Sequence, residues 1–552
     1  MNYNEFIKAV DEKLATMSDS EKEKWIHNLA RTIQEDERCK FLNSLNGENN
    51  CGKIIYDIKE IQEWCKKIQN GDIYFESSYS EVYGENYWRD YSYEYHDTYE
   101  IGIKLTSAFQ VAEDLLYQKE YEKVLGLFDL LINMVFQAYD SDSEETMELG
   151  IEELVDENLV SLDLKKIVLN LLYVKYQTSN GKERLESIYT YLKLNIAKDI
   201  KLEEFFTIGP EELVGIAVFL EEWIAFLKCE DGDLAGNLLF EACMLQGGIE
   251  MLCDTTREMV QKHPILYFRA SEYLIDESKD NECEKIGLEA ISLLNEELII
   301  RGKVADLTAK AAKELGHAEV VWKCYKAAFH SESTLSHYLR LFEAETYEEI
   351  TDINTMKLRI LAEKSYIDFG NVNNQMKINN ISLEHKKILR FFNGEFDYIY
   401  EECKKDKTYL GWSNNIKGIL VPLFILYLDQ SHTVSKAGEK LIEDLKYRLN
   451  YSNYDDKSFV ERFFIWKDKI KITSEQYEKY ITWLHSEVDK RTEAVVGGGF
   501  RGSYYKAAVL ISALGETMES NGNIGAKINI IEHYKKNHSR KRAFKGEFEV
   551  LK

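Results

Sequence analysis

Proline is nearly missing from this chain: three in 552 residues (Pro210, Pro264, Pro422), about a tenth of its usual ~5% share. Proline removes a backbone donor and clashes inside helices, so its scarcity leaves long helices permitted almost everywhere. Paired cysteines are missing too. Cys39, Cys51, Cys65, Cys229, Cys243, Cys253, Cys283, Cys324 and Cys403 are scattered, odd in number, with no Cys-x-x-Cys. That pattern argues against a disulfide framework and suits reduced thiols packed as small hydrophobes in a cytoplasmic protein. Long apolar runs are absent. The greasiest stretch, Ile419 to Leu428, has ten residues including a proline, where a membrane span needs about twenty, so it is expected to be a buried helix. Met1-Asn2-Tyr3-Asn4-Glu5 opens an acidic amphipathic segment without a signal-like apolar core. Positive charge is also short, with 69 basic against 96 acidic residues and a net charge of -27. Such a surface repels phosphate backbones and disfavours direct nucleic-acid binding.

What is present is helical periodicity. Apolar residues make up 45% of the chain and charged residues 30%, enough for a core. Phe6, Val10 and Leu14 share one face, as do Trp25, Leu29 and Ile33, and later Ile58, Ile61, Trp64 and Ile68. From about residue 101 the helices are expected in pairs. Ala108, Val111, Ala112 and Leu115 form one stripe; after Gln118-Lys119-Glu120, Tyr121, Val124, Phe128 and Leu131 form the next. A second pair has Ala305, Thr308, Ala309 and Ala312, the turn Leu315-Gly316-His317, then Ala318, Val321, Tyr325 and Ala328. Others surround Asn393-Gly394-Glu395-Phe396 and Asn521-Gly522-Asn523. Small residues on one helix let the next approach closely, and aromatic ones fill the gap. This order resembles the tetratricopeptide repeat, with Ala112 at its small-residue position, Tyr121 at the turn and Phe128 on the second helix. The closing proline is absent, and Val124 and Leu131 stand where that family prefers alanine. Pro210 and Pro264 are expected to open the helical runs Glu211 to Leu227 and Ile265 to Ile275, and Pro422 to start or kink a helix.

One segment breaks the pattern. From Tyr74 to Tyr99 there are eight tyrosines, Phe75, Trp88 and six interleaved acids, with Arg89 the only base. Spacings near two and four argue for an irregular loop or a short hairpin. Tyrosine offers large contact area at low entropy cost, so Tyr83, Tyr87, Trp88, Tyr91, Tyr93 and Tyr95 are candidate partner-binding residues. The bland alternative is that these rings plug a groove of the fold.

Candidates for chemistry are weaker. Gly497-Gly498-Gly499-Phe500-Arg501-Gly502-Ser503 precedes a helix, and Gly498, Gly499, Arg501, Ser503 and Lys506 could wrap an anion. A linker explains the same glycines, since neither a leading strand nor the P-loop spacing is there. Asp140 to Glu157 carries nine acids and no base, which suits an exposed loop leading into a helix. As a calcium loop it has Glu145 where glycine and Ile151 where glutamate are needed. His330 and His337, seven apart on one expected helical face, lack further ligands and read as surface histidines. Lys535, Lys536, Arg540, Lys541 and Arg542, beside His533 and His538, read as a helix end whose cations meet the dipole.

The tail from Arg501-Gly-Ser-Tyr-Tyr-Lys-Ala-Ala through Leu514-Gly-Glu to His533-Tyr-Lys-Lys-Asn-His-Ser-Arg-Lys-Arg-Ala-Phe, and the segment Gly71-Asp-Ile-Tyr-Phe-Glu with the tyrosine-rich acidic sequence after it, are similar to parts of bacterial helical proteins of unassigned function. Some of those carry an N-terminal SWIM-type zinc finger. Its Cys-x-Cys and Cys-x-His spacings are absent here, so the resemblance implies neither a metal nor a nucleic-acid role. The expected fold is an all-α solenoid of antiparallel helix pairs: an N-terminal helical cap over 1–70, a tyrosine-rich acidic loop over 71–100, a repeat array over 101–490, and a glycine-rich linker with a C-terminal helix pair over 491–552. The expected function is non-enzymatic and without cofactor, a scaffold or accessory subunit binding a peptide or protein. Two other classes compete: a nucleotide- or ligand-responsive regulator or enzyme using the glycine loop, and an acidic nucleic-acid mimic meeting a basic partner.

Overall fold

A computed structural model describes residues 13, 16–18, 22, 57–83, 89–140, 146–343, 346–362, 374–408, 410, 415–449, 451–452 and 457–551. The helices expected before residue 57 therefore lie outside the described residues. The fold is mostly helical, 71% helix, with twenty-four α-helices among the described residues. It is not purely helical: a four-stranded sheet corrects the all-α expectation. The chain forms two compact units, Met1–Ile216 and Ala217–Lys552.

In the first unit the helix Ile58–Gln69 buries Ile61, Cys65 and Ile68, the face its apolar spacing marked. Glu60 accepts from the Asp57 amide at 3.2 Å, tying down the helix start. Gly71, at φ +78, turns the chain into β1 (Phe75–Tyr83), which pairs antiparallel with β2 (Arg89–His96). The Asp97 carboxylate then accepts from the Ile101 and Gly102 amides at 2.7 and 2.8 Å and caps the next helix. Helices Ile101–Tyr117 and Tyr121–Ile132 form the first expected pair, meeting through buried Ala108, Ala112, Val124 and Phe128. Their turn holds Lys119 in the left-handed region at φ 65. The chain then returns as β3 (Phe136–Asp140), parallel to β1, and β4 (Thr146–Leu149), antiparallel to β3. The sheet order is β2-β1-β3-β4. Part of the acidic stretch 140–157 is therefore strand where a loop was expected; Phe136, Ala138 and Leu149 turn inward, so apolar alternation outweighs the acids. Helix Leu164–Thr178, buried over most of its length, completes the core of this unit.

In the second unit, helices Asp233–Glu258, Ile265–Asp276, Asp280–Leu293, Ile299–Glu314 and Ala318–Ser331 each pack on the next. Gly248, at φ 63 and ψ −156, breaks the first of these. The second expected pair closes through Gly316 at φ +74, with Ala305, Thr308, Ala309, Ala312, Tyr325 and Ala328 buried. Pairs Leu383–Phe392 with Phe396–Lys405, and Tyr504–Ser520 with Ala526–Asn537, form at the other two marked turns. Lys417–Leu428 is the buried helix expected from its composition, packed on helices Lys436–Arg448, Ser474–Thr492 and Tyr504–Ser520. No helix among the described residues is long and apolar enough to cross a membrane.

One proline behaves differently from expectation. Pro264 caps Ile265–Asp276 as foreseen, but Pro210 lies in a turn, and the helix after it begins only at Ile216, after Gly215 at φ +81. Pro422 does not start its helix; it sits buried in the second turn. The crossing of Asp280–Leu293 with Ile299–Glu314 depends on Gly287. A methyl group there would come within 2.9 Å of the Thr308 Cβ. Gly287→Ala is therefore expected to destabilise the second unit by about 1–3 kcal/mol, read as a lower urea midpoint; no loss would mean the crossing can open cheaply.

Candidate functional site

The tyrosine-rich segment is a two-stranded ribbon at one side of the sheet, the hairpin alternative of the sequence reading. Its register sets Ser77 opposite Tyr95, Tyr79 opposite Tyr93, Glu81 opposite Tyr91 and Tyr83 opposite Arg89. The backbone register places positions 79, 83, 91, 93 and 95 on one face of the ribbon. That face begins at Phe75, fully buried against Phe136 with ring centroids 6.2 Å apart. It opens outward from there. Tyr95 is half-buried, and Tyr93 is 38% exposed. Burial, with Glu157 and Tyr93 nearby, raises the Tyr95 phenol above its ordinary range, which keeps it a neutral donor. Among the described residues the outer strand β2 is a sheet edge, with Glu94 and His96 exposed on its opposite face.

A second aromatic group lies around Tyr74. Its ring centroid is 5.3 Å from Tyr99 and 6.1 Å from Tyr139, and both of those rings are more than a third exposed. Tyr139 was invisible to sequence reasoning because it arrives on β3, sixty residues later, through a parallel pairing. Of the sequence candidates, Tyr83, Tyr91, Tyr93 and Tyr95 are thus brought onto one ribbon. Tyr87 and Trp88 lie outside the described residues.

The glycine loop has a different local job. The Gly498 amide donates to the Glu493 carbonyl at 3.1 Å, Gly499 to Val496 at 3.3 Å, and Phe500 to Val495 at 2.9 Å. These amides close the end of the preceding helix through a wide π-type turn, Glu493–Gly497. Gly499, at φ +83, needs glycine for that closure. Ser503 donates its amide to Phe500, Arg501 is exposed, and Lys506 lies 5.7 Å from the Tyr505 ring. At the far end of the chain, Lys535 and Lys536 occupy the last turn of helix Ala526–Asn537, as expected, but Lys541 and Arg542 open the next helix, Arg542–Val550, because the chain turns after His538 instead of ending there.

His337 is not a surface residue. It is fully buried on helix Leu335–Arg340, whereas His330 belongs to the preceding helix, so the two do not share a face. Its Nε2 meets Asp306 Oδ2 at 3.0 Å and its Nδ1 meets the Glu332 carbonyl at 2.7 Å. Arg340 donates to the other Asp306 oxygen and stacks 4.5 Å from the Tyr325 ring. Burial alone would raise the Asp306 carboxyl, but the neighbouring charges and hydrogen bonds of His337 and Arg340 prevail and hold it below the usual range. This trio fastens helix Ile299–Glu314 to helix Leu335–Arg340.

The cysteines offer no activated thiol among those with a resolved shift. Burial pushes Cys65 to about 11 and Cys283, Cys324 and Cys403 to about 12, far from a reactive thiolate. Among the described residues no three side chains are grouped to hold a metal ion. No family model matches the chain, and no curated protein or solved structure is significantly similar to it.

Proposed function

We propose that this protein is a non-enzymatic interaction platform, a scaffold or accessory subunit of a cytoplasmic complex, and that the tyrosine ribbon receives a protein partner. The observation that carries the reading is the placement of Tyr79, Tyr83, Tyr91, Tyr93 and Tyr95 on one face of a ribbon whose outer strand is a sheet edge. An edge strand offers main-chain hydrogen bonds to an extended segment, and rings beside it offer stiff contact area. The helix pairs at 101–132, 299–331, 383–405 and 504–537 are read with it as degenerate tetratricopeptide-like units of a solenoid, whose grooves would hold further peptide.

Affinity enrichment from the source cells, with the Tyr91→Ala/Tyr93→Ala protein run beside the native one, tests the ribbon. A partner retained by the native protein should fall about tenfold or more on the variant while its thermal midpoint is kept. Equal recovery of every retained partner would remove the ribbon as the interface.

A further inference from the structure

A second site lies elsewhere and is independent of the ribbon. Helices Phe396–Lys405, Lys417–Leu428 and Ser474–Thr492 enclose an open cleft of about 590 Å³. Five lysines line it (Lys404, Lys407, Lys417, Lys479, Lys490) against two carboxylates, Asp406 and Glu487. The chain as a whole has the opposite balance, 69 basic to 96 acidic residues, so this concentration of cations is not a by-product of composition.

The charges are arranged in layers. At the base, Lys417 and Glu487 are 2% and 3% exposed and 3.2 Å apart, and Lys490 shares the same carboxylate at 2.9 Å. One acid therefore serves two ammonium groups. Lys479 is matched by Asp397 at 2.8 Å, on the rim. The Asp406 carboxylate is occupied by the Thr408 amide and hydroxyl at 2.9 and 2.6 Å. Lys404 and Lys407 are exposed and have no carboxylate within ion-pair distance among the described residues. Gathering like charges is unfavourable by itself, and a concave wall concentrates the resulting field toward an anion.

The cleft also has an aromatic wall. Tyr400 and Trp483 stand edge to face with centroids 5.5 Å apart. Lys479 and Lys404 lie 4.4 and 5.1 Å from the Tyr400 ring, which holds both ammonium groups over it. Trp483 is 6% exposed, and its indole N–H has no acceptor among the described residues. The volume falls within the ordinary range of small-molecule sites.

From these features we infer that the cleft binds a small diphosphate-bearing molecule, up to the size of a nucleoside diphosphate. Lysine suits such a ligand because its ammonium acts as a point charge on phosphate oxygens, and the rings can cover a planar base. The two sources of that group, inorganic pyrophosphate and a nucleotide, share the lysine contacts and differ only at the aromatic wall.

Isothermal titration of the full chain with pyrophosphate, ADP and citrate, at about 0.15 M salt, tests the site. Binding of pyrophosphate or ADP with a Kd below about 1 mM is expected, and tighter binding of ADP would assign the wall to a base. Lys404→Glu/Lys407→Glu changes only exposed side chains and should weaken that binding about tenfold or more at an unchanged thermal midpoint. Absence of binding by both probes, equal affinity for citrate, or undiminished affinity in the double variant would overturn the assignment.

Discussion

Trp466→Ala is expected to cost the second unit about 3–5 kcal/mol, among the largest losses available to a single substitution. Trp466 is completely buried on helix Phe459–Lys469. Its ring lies 4.7 Å from Phe392, 5.1 Å from Tyr427, 5.3 Å from Phe463 and 5.7 Å from Phe391, so it joins the aromatic surfaces of three helices through one residue. Its indole also donates to the Phe392 carbonyl at 2.6 Å. Alanine would leave a cavity and take away that carbonyl's shorter hydrogen bond, leaving it only the Tyr338 hydroxyl at 3.5 Å. Trp466→Phe keeps most of the volume and loses only the donor, so about 1–2 kcal/mol should go. Hydrogen exchange is the appropriate readout, because a chain with two units does not unfold in one step. Amides of Leu383–Phe392, Lys417–Leu428 and Phe459–Lys469 should exchange about a hundredfold to a thousandfold faster in the alanine variant. Protection equal to that of the native chain would show that the cluster is not cooperative.

Asp306→Ala should cost a similar amount, about 3–5 kcal/mol, for an electrostatic reason. The substitution leaves His337 and Arg340, 0% and 3% exposed, without the carboxylate they share. Removing both sides of the network is expected to be far milder: Asp306→Leu with His337→Leu and Arg340→Met replaces buried charge by apolar volume, which is often close to neutral. Urea titrations of the three proteins would separate these cases. A single variant as stable as the native chain would show that the trio holds nothing.

The same network predicts a pH dependence. The folded Asp306 carboxyl titrates below its unfolded value of about 3.9. Its contribution is therefore fully present above that value and is lost as pH falls through the lower, folded one. The native protein should lose stability in that acid window, and Asp306→Asn should lose less.

Much of the helical content was legible locally. Turns at 118–120, 315–317, 393–395 and 521–523 were marked by glycine, asparagine and charged residues between apolar stripes, and a helix stands on each side of each. The tyrosine ribbon was half legible. Spacings near two suggested a hairpin, but no local signal said that β1 would take β3 as a second, parallel neighbour across about sixty residues. The lysine cleft was not legible at all. Lys404 and Lys407 lie at and just after the end of one helix, Lys479 and Lys490 eleven residues apart on another, and Lys417 at the start of a third, so the five form no single cluster in the sequence. His337 failed for a related reason: its partner Asp306 lies thirty-one residues away, and a histidine near serines and acids looks like any exposed one.

Sequence alone determined that this chain would be built chiefly of helices, because proline depletion and apolar spacing act within a few residues of each position. Tertiary structure decided which strands pair, which charges are buried and where cations gather. Those outcomes depend on groups far apart in the chain, whose interaction energies exist only once folding has brought them within a few ångströms of each other and away from water.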